Sequence, residues 1–136
     1  MSKGEEKIAS LLHGAGLSFT REKTFSDLKN GLFRFDFYVK DVRGRDCIIE
    51  YNGEQHYHFV KKFYKTEKDW RNMQGHDRRK ISYCLAKEIP LYIIPFWELS
   101  KIQKAEDIFQ EKYRARSQWK NELDKEFSPL KRSKNL

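Results

Sequence analysis

Apolar and polar residues alternate along two neighbouring segments of the chain, and this spacing predicts a β-hairpin. The first segment has an apolar face and a polar face, Phe33, Phe35, Phe37 and Val39 against Arg34, Asp36, Tyr38 and Lys40. The second segment has Cys47, Ile49 and Tyr51 on one face and Ile48, Glu50 and Asn52 on the other. A short basic turn lies between the two strands, and each strand contributes one carboxylate.

The residues before the hairpin predict a capped helix and a first strand. Ser2 can cap the helix, and Glu5, three residues later, completes a capping box. The helix carries an apolar stripe of Ile8, Leu11, Leu12 and Ala15. Gly16 is expected to end it. Residues 19–25 then predict a strand, and residues 26–31 a turn-rich connection.

Helical spacing returns after the hairpin. Residues 67–89 predict a helix that Pro90 ends. One face of this helix carries Met73, Asp77, Ile81 and Cys84. Residues 91–95 are entirely apolar, which is typical of a strand in the interior of a sheet. Residues 99–116 predict a further helix, with Ile102, Ala105, Ile108 and Phe109 facing inward.

The predicted order is α, β, β, β, α, β, α, which fits an α/β fold with helices on both faces of a mixed β-sheet. A chain of 136 residues can form one domain with a modest core. We assign residues 1–116 to this domain. Residues 117–136 predict a basic tail that is partly helical, with Trp119, Leu123 and Phe127 at helical spacing.

The two hairpin carboxylates, Asp36 and Glu50, lie among apolar residues in the least hydrated part of a small domain. Burying even a neutral polar group without a partner costs roughly 2–7 kcal/mol. A divalent cation bound by both side chains would offset this cost. The structural alternative is that the carboxylates pair with nearby arginines such as Arg34.

The length of the hairpin turn decides whether the two carboxylates can bind one ligand. A loop with an odd number of residues, centred on Arg43 or Gly44, places Asp36 and Glu50 on the same face, with Cβ atoms roughly 5–8 Å apart. A two-residue loop would place them on opposite faces. Gly44 can adopt the left-handed conformation that a three-residue loop with a bulge requires, and we therefore expect the odd loop.

The charge of the chain favours a polyanionic partner. Its 28 Lys and Arg outnumber 20 Asp and Glu, for a net charge of +8, and nucleic acid is the commonest such partner. A basic protein without this partner is the alternative. No apolar run is long enough for a signal peptide or a membrane span, so we expect an intracellular protein. Cys47 and Cys84 are predicted to be buried thiols, and no Cys and His spacing matches a zinc site.

The order of the acidic residues resembles a known group of nucleases. Three residues follow the order of the PD-(D/E)XK nuclease core, namely Glu5, Asp36 and Glu50. A closer match to one branch consists of the run IIEYNGEQHY at residues 48–57, followed by Asp77 and Lys80. That branch is the very-short-patch-repair-like nucleases, which include the phage homing endonucleases with an E, D, x, H, D (EDxHD) signature. The resemblance covers residues 4–96.

This resemblance implies a restriction-endonuclease-like fold, with an αβββαβ core plus a C-terminal helix. It also implies a Mg²⁺- or Mn²⁺-dependent endonuclease that hydrolyses DNA phosphodiester bonds. Asp36, Glu50 and the backbone carbonyl of Tyr51 would bind the metal. A homing or phage-type nuclease of this kind would act in the cytoplasm of a bacterial or phage-infected cell and would not be secreted.

The same resemblance implies catalytic roles for residues beyond the metal ligands. The superfamily's usual lysine, two residues after the second carboxylate, is Asn52 here, and an amide can be neither a base nor a cation. In the similar branch a downstream histidine takes over, and His56, with Gln55 beside it, is the match. The alternative for His56 is a packed histidine. Asp77 either orients His56 or pairs with Lys80 or Arg78.

Glu5 matches the family's leading glutamate near the metal, although its capping-box role is an equal explanation and Glu6 is a rival for the position. Candidates for phosphate contacts with double-stranded DNA are Lys40, Arg43, Arg45, Lys61, Lys62, Arg78, Arg79 and Lys80. A homodimer would double the DNA contact surface of so short a chain.

Two alternative functions remain open. The first is a catalytically inactive nucleic-acid-binding module of the same fold, which Asn52 at the motif lysine position supports. The second is a junction-specific or RNA nuclease, which would use the same chemistry on a different substrate.

Overall fold

The computed structural model describes residues 2–58 and 66–119 and has a mixed α/β fold. Its helices and strands are α1 (Lys3–Gly14), β1 (Phe19–Lys23), β2 (Phe35–Val42), β3 (Arg45–Asn52), α2 (Glu67–Ala86) and β4 (Leu91–Pro95). The strands form one four-stranded sheet in the order β1-β2-β3-β4. β1, β2 and β3 pair antiparallel, and β4 pairs parallel to β3. The predicted α/β class and mixed sheet are therefore confirmed.

The sheet lies between two hydrophobic clusters, one on each face. Helix α1 contributes Ile8 to the first cluster, which includes Ile49 of β3. Helix α2 contributes Ile81 to the second cluster, which includes Ile48 of β3. Because neighbouring residues of β3 enter different clusters, this strand alternates as predicted. Both cysteines are buried free thiols, which also agrees with the prediction.

Helix α1 begins with the predicted capping box. The Ser2 hydroxyl accepts a hydrogen bond from the Glu5 backbone N–H at 3.1 Å, and the Glu5 carboxylate accepts one from the Ser2 backbone N–H at 3.4 Å. These bonds satisfy N–H groups that the start of a helix leaves unpaired. After the helix, Gly16 has a φ of 74°, the left-handed conformation that commonly terminates helices.

The β2–β3 turn differs from the predicted three-residue loop. Only Arg43 and Gly44 lie between the paired residues Val42 and Arg45. Their φ angles of 54° and 84° are positive at both central positions, as a two-residue type I′ turn requires. The expected odd loop is therefore wrong, and this turn alone would separate the two carboxylates.

A β-bulge restores the predicted alignment. Lys40 and Asp41 of β2 together oppose one residue of β3, Asp46. The Asp46 carboxylate accepts a hydrogen bond from the Asp41 backbone N–H at 3.1 Å, which holds the extra residue in place. The bulge shifts the register by one residue and brings Asp36 and Glu50 to the same face.

Phe33 and Phe35 do not lie on the face that the alternation predicted. Phe37 packs in the cluster under α1, whereas Phe33 and Phe35 pack in the cluster under α2. Strand β2 begins at Phe35, but its pairing with β3 begins at Phe37. The pairing of β2 with β1 does reach Phe35, opposite Lys23, but it skips the intervening position, where Glu22 has a φ of 52°. Strict alternation is lost at this break, so Phe35 can turn to the α2 side.

Strand β4 lies at the edge of the sheet, which corrects the prediction of an interior position. All five of its residues are nevertheless buried. The segment near Ala115 covers the open edge, because the Ala115 backbone N–H donates to the Leu91 carbonyl at 2.7 Å. Burial on both faces, rather than a central position, therefore explains its apolar sequence.

The helix predicted for residues 99–116 is not formed. This region consists of short 3₁₀ turns at Phe96–Lys101, Ala105–Asp107 and Glu111–Tyr113. The Asp107 carboxylate accepts hydrogen bonds from the backbone N–H groups of Gln103 at 2.9 Å and Lys104 at 3.2 Å. These local bonds compete with a continuous helix. Of the four predicted inward residues, Ile102, Ile108 and Phe109 are still buried, whereas Ala105 is half-buried.

Some predicted features lie outside the described residues. They are Lys61, Lys62 and residues 120–136. Within residues 2–58 and 66–119, no helix is both long and apolar enough to cross a membrane.

Candidate active site

Asp36 and Glu50 bind each other's backbone at the end of the β2–β3 ladder. Glu50 Oε1 accepts a hydrogen bond from the Asp36 N–H at 3.0 Å, and Asp36 Oδ2 accepts one from the Tyr51 N–H at 2.7 Å. The carboxylates thus pair with backbone groups just where the strand ladder stops. Glu50 is 6% exposed. The predicted placement of the two acids on one face of the hairpin is confirmed.

Lys80 of α2 provides a cation beside this acidic pair. Its Nζ lies 3.5 Å from Glu50 Oε1 and donates a hydrogen bond to the Arg34 carbonyl at 2.6 Å. The Lys80 side chain is 16% exposed, so it is a buried neighbour of the acids rather than an open surface charge. The sequence signal that singled out Lys80 was the resemblance, in which Asp77 and Lys80 follow the run at residues 48–57.

The alternative in which Arg34 neutralises the acids is not what the structure shows. The Arg34 guanidinium lies 3.7 Å from the Glu22 carboxylate, and both side chains are exposed. Arg34 is linked to the acidic site through its backbone carbonyl, which accepts the hydrogen bond of Lys80.

Burial raises the pKa of both carboxyl groups. For Asp36 burial is the largest effect, the charge of Glu5 adds to it, and the charge of Lys80 opposes it. For Glu50 burial again raises the pKa most, and the charge of Lys80 opposes it most. Two adjacent carboxyl groups with raised pKa values form a site that favours an added proton or cation.

His56 and Asp77 form a hydrogen-bonded pair next to the acids. The distance from His56 Nδ1 to Asp77 Oδ2 is 2.9 Å, and both side chains are largely buried. Burial lowers the pKa of His56, but the charge and hydrogen bond of Asp77 outweigh it and raise the pKa above its usual value. The contact matches the prediction that Asp77 orients His56. With Nδ1 engaged, Nε2 is the ring nitrogen that can accept a proton.

A 3₁₀ turn at Glu54–His56 places the histidine. The Gln55 backbone carbonyl accepts a hydrogen bond from Trp70 Nε1 of α2 at 2.8 Å. The Gln55 side chain folds over Gly53, where a Cβ would lie 2.6 Å from Gln55 Oε1. A side chain at Gly53 would displace the end of the Gln55 side chain, and α2 holds the turn through Trp70 and Asp77.

Asn52, at the motif lysine position, is buried and hydrogen-bonded to Tyr57. It lines a small cavity of about 30 Å³ together with Glu50, His56, Asp77, Lys80 and Trp119. A volume of this size holds about one water molecule, and polar groups on its wall could bind that water. The resembling nucleases carry a lysine at this position. In this chain the uncharged Asn52 lies there and forms part of the wall of the site.

Of the two candidate glutamates in α1, Glu5 acts on the acidic site. Its charge contributes to the raised pKa of Asp36 and, after burial, to that of Tyr51. The helix can come this close because Gly4 packs on the Tyr51 ring, which an added Cβ would overlap. Glu6 instead lies 3.8 Å from Arg21. The role of Gly4 was not predicted, since nothing local to the sequence indicates it.

Three of the predicted phosphate-binding residues lie near the hairpin turn, away from the acids. Lys40 pairs with Asp46 at 3.4 Å. Arg43 donates to the Phe109 carbonyl and Arg45 to the Glu88 carbonyl, at 3.2 and 2.6 Å. Arg78 and Arg79 lie on α2 instead, next in sequence to Asp77.

The donor atoms around Asp36 and Glu50 fit a hard divalent cation. Among the described residues no group of three or more His, Cys, Asp or Glu surrounds one metal position. Two carboxylates and a backbone carbonyl, with water completing the shell, are nevertheless the donors that Mg²⁺ prefers. The hydrogen bonds to Asp36 and Glu50 use Oδ2 and Oε1. The second oxygen of each carboxylate takes no part in these bonds.

Comparisons with known proteins assign no activity to this site. No family model matches the chain, and no solved structure matches it. A segment of 70 residues is 38% identical to uncharacterized protein 307L of Invertebrate iridescent virus 6. It comprises 50% of the chain and 34% of the viral protein. The chain therefore matches about a third of the length of that relative.

Proposed function

We propose that this protein is a Mg²⁺- or Mn²⁺-dependent endonuclease with a restriction-endonuclease-like fold that hydrolyses double-stranded DNA. It would be similar to the very-short-patch-repair-like and EDxHD branch of the PD-(D/E)XK nucleases. The observation that carries this proposal is the placement of Asp36 and Glu50 on one face, beside Lys80. The order of the helices and strands supports the fold, and the net charge of +8 supports a nucleic-acid substrate.

The metal would be held by Asp36, Glu50 and the backbone carbonyl of Tyr51. A bound Mg²⁺ ion lowers the pKa of water and neutralises charge on the phosphate. Glu5 adds negative charge to this place from the start of α1, which favours a cation further.

His56 would accept the proton of the attacking water through Nε2. Asp77 holds Nδ1 at 2.9 Å, which orients the ring, selects the tautomer and raises the basicity of the imidazole. General-base catalysis requires a group within hydrogen-bond reach of the water and a pKa near the working pH. The His56–Asp77 pair supplies such a base.

Lys80 would take the place of the motif lysine that Asn52 replaces. Its ammonium group reaches Glu50 from helix α2 instead of from strand β3. A fixed cation in a partly buried site stabilises the negative charge that builds on the phosphate during cleavage. The chain thus has a lysine near its second carboxylate, although this lysine lies on a helix and not on the strand.

The test is plasmid nicking in Mg²⁺ and in Mn²⁺ with wild type, Asp36→Asn and Glu50→Gln. Both variants keep the size of the side chain and remove its charge, so we expect cleavage to fall below detection. Glu106→Gln is the matched control, because Glu106 is exposed and pairs with Lys104 in the 3₁₀ region. Cleavage by both site variants at the wild-type rate would refute the proposal.

An inactive nucleic-acid-binding module of the same fold is the second candidate. The observation that favours it is Lys80, whose ammonium group already supplies positive charge beside Glu50. This candidate predicts DNA binding that needs no divalent ion, together with no effect of Mn²⁺ on the melting temperature. A junction-specific or RNA nuclease would instead cleave branched DNA or RNA faster than a plain duplex.

The proposal carries two further expectations. A nuclease of this size would gain contact surface by forming a homodimer, which sedimentation of the protein with and without DNA would show. The compartment that suits it is the cytoplasm of a bacterial or phage-infected cell, where its substrate is accessible.

A further inference from the structure

Helix α2 carries a concave basic surface on the side opposite its buried face. The buried face consists of Trp70, Gln74, Ile81 and Cys84. The opposite side forms a hollow of about 420 Å³, lined by Arg71, Asn72, Gly75, His76, Arg78 and Arg79. We call this hollow the α2 groove. Its lining includes three arginines, and the planar guanidinium group is a side chain that suits phosphate oxygens.

Gly75, in the middle of the α2 groove, has no packing explanation. Among the described atoms, a Cβ at this position would meet Arg78 Nη2 at 3.6 Å, an ordinary contact with the end of a flexible side chain. Glycine inside a helix destabilises it relative to alanine. A glycine in such a place suits the close approach of a ligand to the helix backbone.

The α2 groove continues to the acidic site through His76. The His76 ring contacts the Phe33 ring, with centroids 4.6 Å apart. The carbonyl of the next residue, Arg34, accepts the hydrogen bond of Lys80, whose Nζ lies beside Glu50. The α2 groove is therefore connected to the proposed reaction centre through these neighbouring contacts.

The electrostatics of His76 agree with a positively charged path. Burial is the largest cause of its lowered pKa, and the charges of Arg79, Lys80 and Lys29 lower it further, while Asp77 raises it. Three cations thus act on one ring between the α2 groove and the acids. Such a band of positive charge attracts a polyanion along its length.

We propose that the α2 groove binds the phosphate backbone of the DNA that flanks the cleaved bond, and that Gly75 allows this backbone to lie close to the helix. This inference rests on the proposed function and extends it to the path of the substrate. The occupant is double-stranded DNA, because an arginine-lined hollow next to a phosphodiester-cleaving site complements its charge.

The first test is the substitution Gly75→Ala, with Gly14→Ala as its matched control. Gly14 ends helix α1, and a Cβ there would have no described atom within 4 Å. Both alanines should leave the melting temperature unchanged or raise it. Only Gly75→Ala should weaken binding of a fluorescent duplex in EDTA, by roughly threefold or more, because it obstructs one backbone contact. A Gly75→Ala protein that binds as tightly as wild type would overturn the role of Gly75.

The second test is Arg79→Gln, with Lys104→Gln as a control of equal charge change. Arg79 lines the α2 groove, whereas Lys104 is exposed and pairs with Glu106. The loss of one phosphate contact should flatten the slope of log Kd against log salt concentration by about 0.9. Lys104→Gln should leave the slope at its wild-type value. Equal slopes for Arg79→Gln and wild type would place the DNA elsewhere.

These binding tests separate the inference from the proposed function. If wild type cleaves DNA and both Gly75→Ala and Arg79→Gln bind it normally, the proposed role of the α2 groove is refuted and the proposed endonuclease activity is not. Weakened binding in both variants without cleavage by wild type supports the α2 groove and refutes the endonuclease. Wild-type protein that neither binds nor cleaves duplex DNA refutes both.

Discussion

The ammonium group of Lys80 lies 3.5 Å from the carboxylate of Glu50, with Lys80 on a helix and Glu50 on the strand that the helix covers. Thirty residues separate the two in sequence. Glu50 is buried and Lys80 is largely buried, and Lys80 also donates a hydrogen bond to the Arg34 carbonyl. The helix–sheet packing, rather than a strand motif, therefore sets the charge balance of the acidic site.

Replacing Lys80 by methionine should separate metal binding from catalysis. Methionine keeps an apolar chain of similar length but removes the cation that competes with a metal at Glu50. We expect Mn²⁺ to bind at least as tightly as to wild type, measured by calorimetry, while the cleavage rate falls roughly 100-fold. Weaker Mn²⁺ binding with unchanged cleavage would contradict this role of Lys80.

Replacing Asp77 by asparagine should move the pH dependence of cleavage. Asp77 raises the pKa of His56 by its charge and hydrogen bond, so its removal lowers that pKa. A general base must be neutral, and the acid limb of the rate profile should therefore shift to lower pH in Asp77→Asn. Loss of ring orientation should also reduce the maximal rate roughly 10–100-fold.

His56→Ala provides the control for this shift. It should abolish the acid limb that belongs to the imidazole and lower the rate at all pH values. If the acid limb of the pH–rate profile is unchanged in both Asp77→Asn and His56→Ala, the limb belongs to another group and His56 is not the general base.

Metal binding should stabilise the protein more at high pH than at low pH. The folded-state pKa values of Asp36 and Glu50 are raised, so the folded protein binds protons more tightly than the unfolded chain. Without metal, this contribution to the unfolding free energy is present below the ordinary carboxyl pKa and is lost as pH rises through the raised values. Mn²⁺ competes with those protons and reverses the loss.

Melting temperatures with EDTA and with Mn²⁺, at about pH 5.5 and about pH 8.5, measure this effect. The increase caused by Mn²⁺ should be larger at the higher pH, and Asp36→Asn should greatly reduce it. An equal increase at both pH values would show that the ion binds somewhere other than these carboxylates.

The bulge in β2 should be required for the acidic site, although it lies toward the turn. Asp46→Ala removes the acceptor for the Asp41 N–H, and without it a straight ladder would move Asp36 and Glu50 to opposite faces. We expect Asp46→Ala to lose both cleavage and the Mn²⁺-dependent rise in melting temperature. Asp41→Gly is the control, since the φ of 52° at this position suits glycine.

Replacing Gly4 by alanine should destabilise the fold and move Glu5 away from the acids. An added Cβ would overlap the Tyr51 ring, and such overpacking typically lowers the unfolding free energy by roughly 1–3 kcal/mol. Gly14→Ala in the same helix should be neutral or stabilising. Urea unfolding of both variants checks this, and equal midpoints would show that α1 adapts without cost.

Local sequence patterns were enough to predict the individual strands and their acids. The alternation in β3, the capping box of α1 and the boundaries of β4 follow from spacing and residue type, and each is observed. The Asp36 and Glu50 pair could be named because a carboxylate in an apolar strand requires a partner wherever it lies. Residue spacing also put Asp77 on one face of a helix with Ile81 and Cys84, whereas Lys80 was named only through the resemblance.

Tertiary structure decided which of these elements and side chains contact one another. The sequence indicated one odd-numbered loop, whereas the register comes from a two-residue turn and a bulge held by Asp46. The residues after β4 have helical spacing, yet Asp107 binds backbone N–H groups that a helix would need. The partners of Glu50 and His56 come from α2, and spacing along one element cannot specify contacts between two. Side-chain periodicity determines the face that each element buries, but register and packing depend on bonds between distant residues.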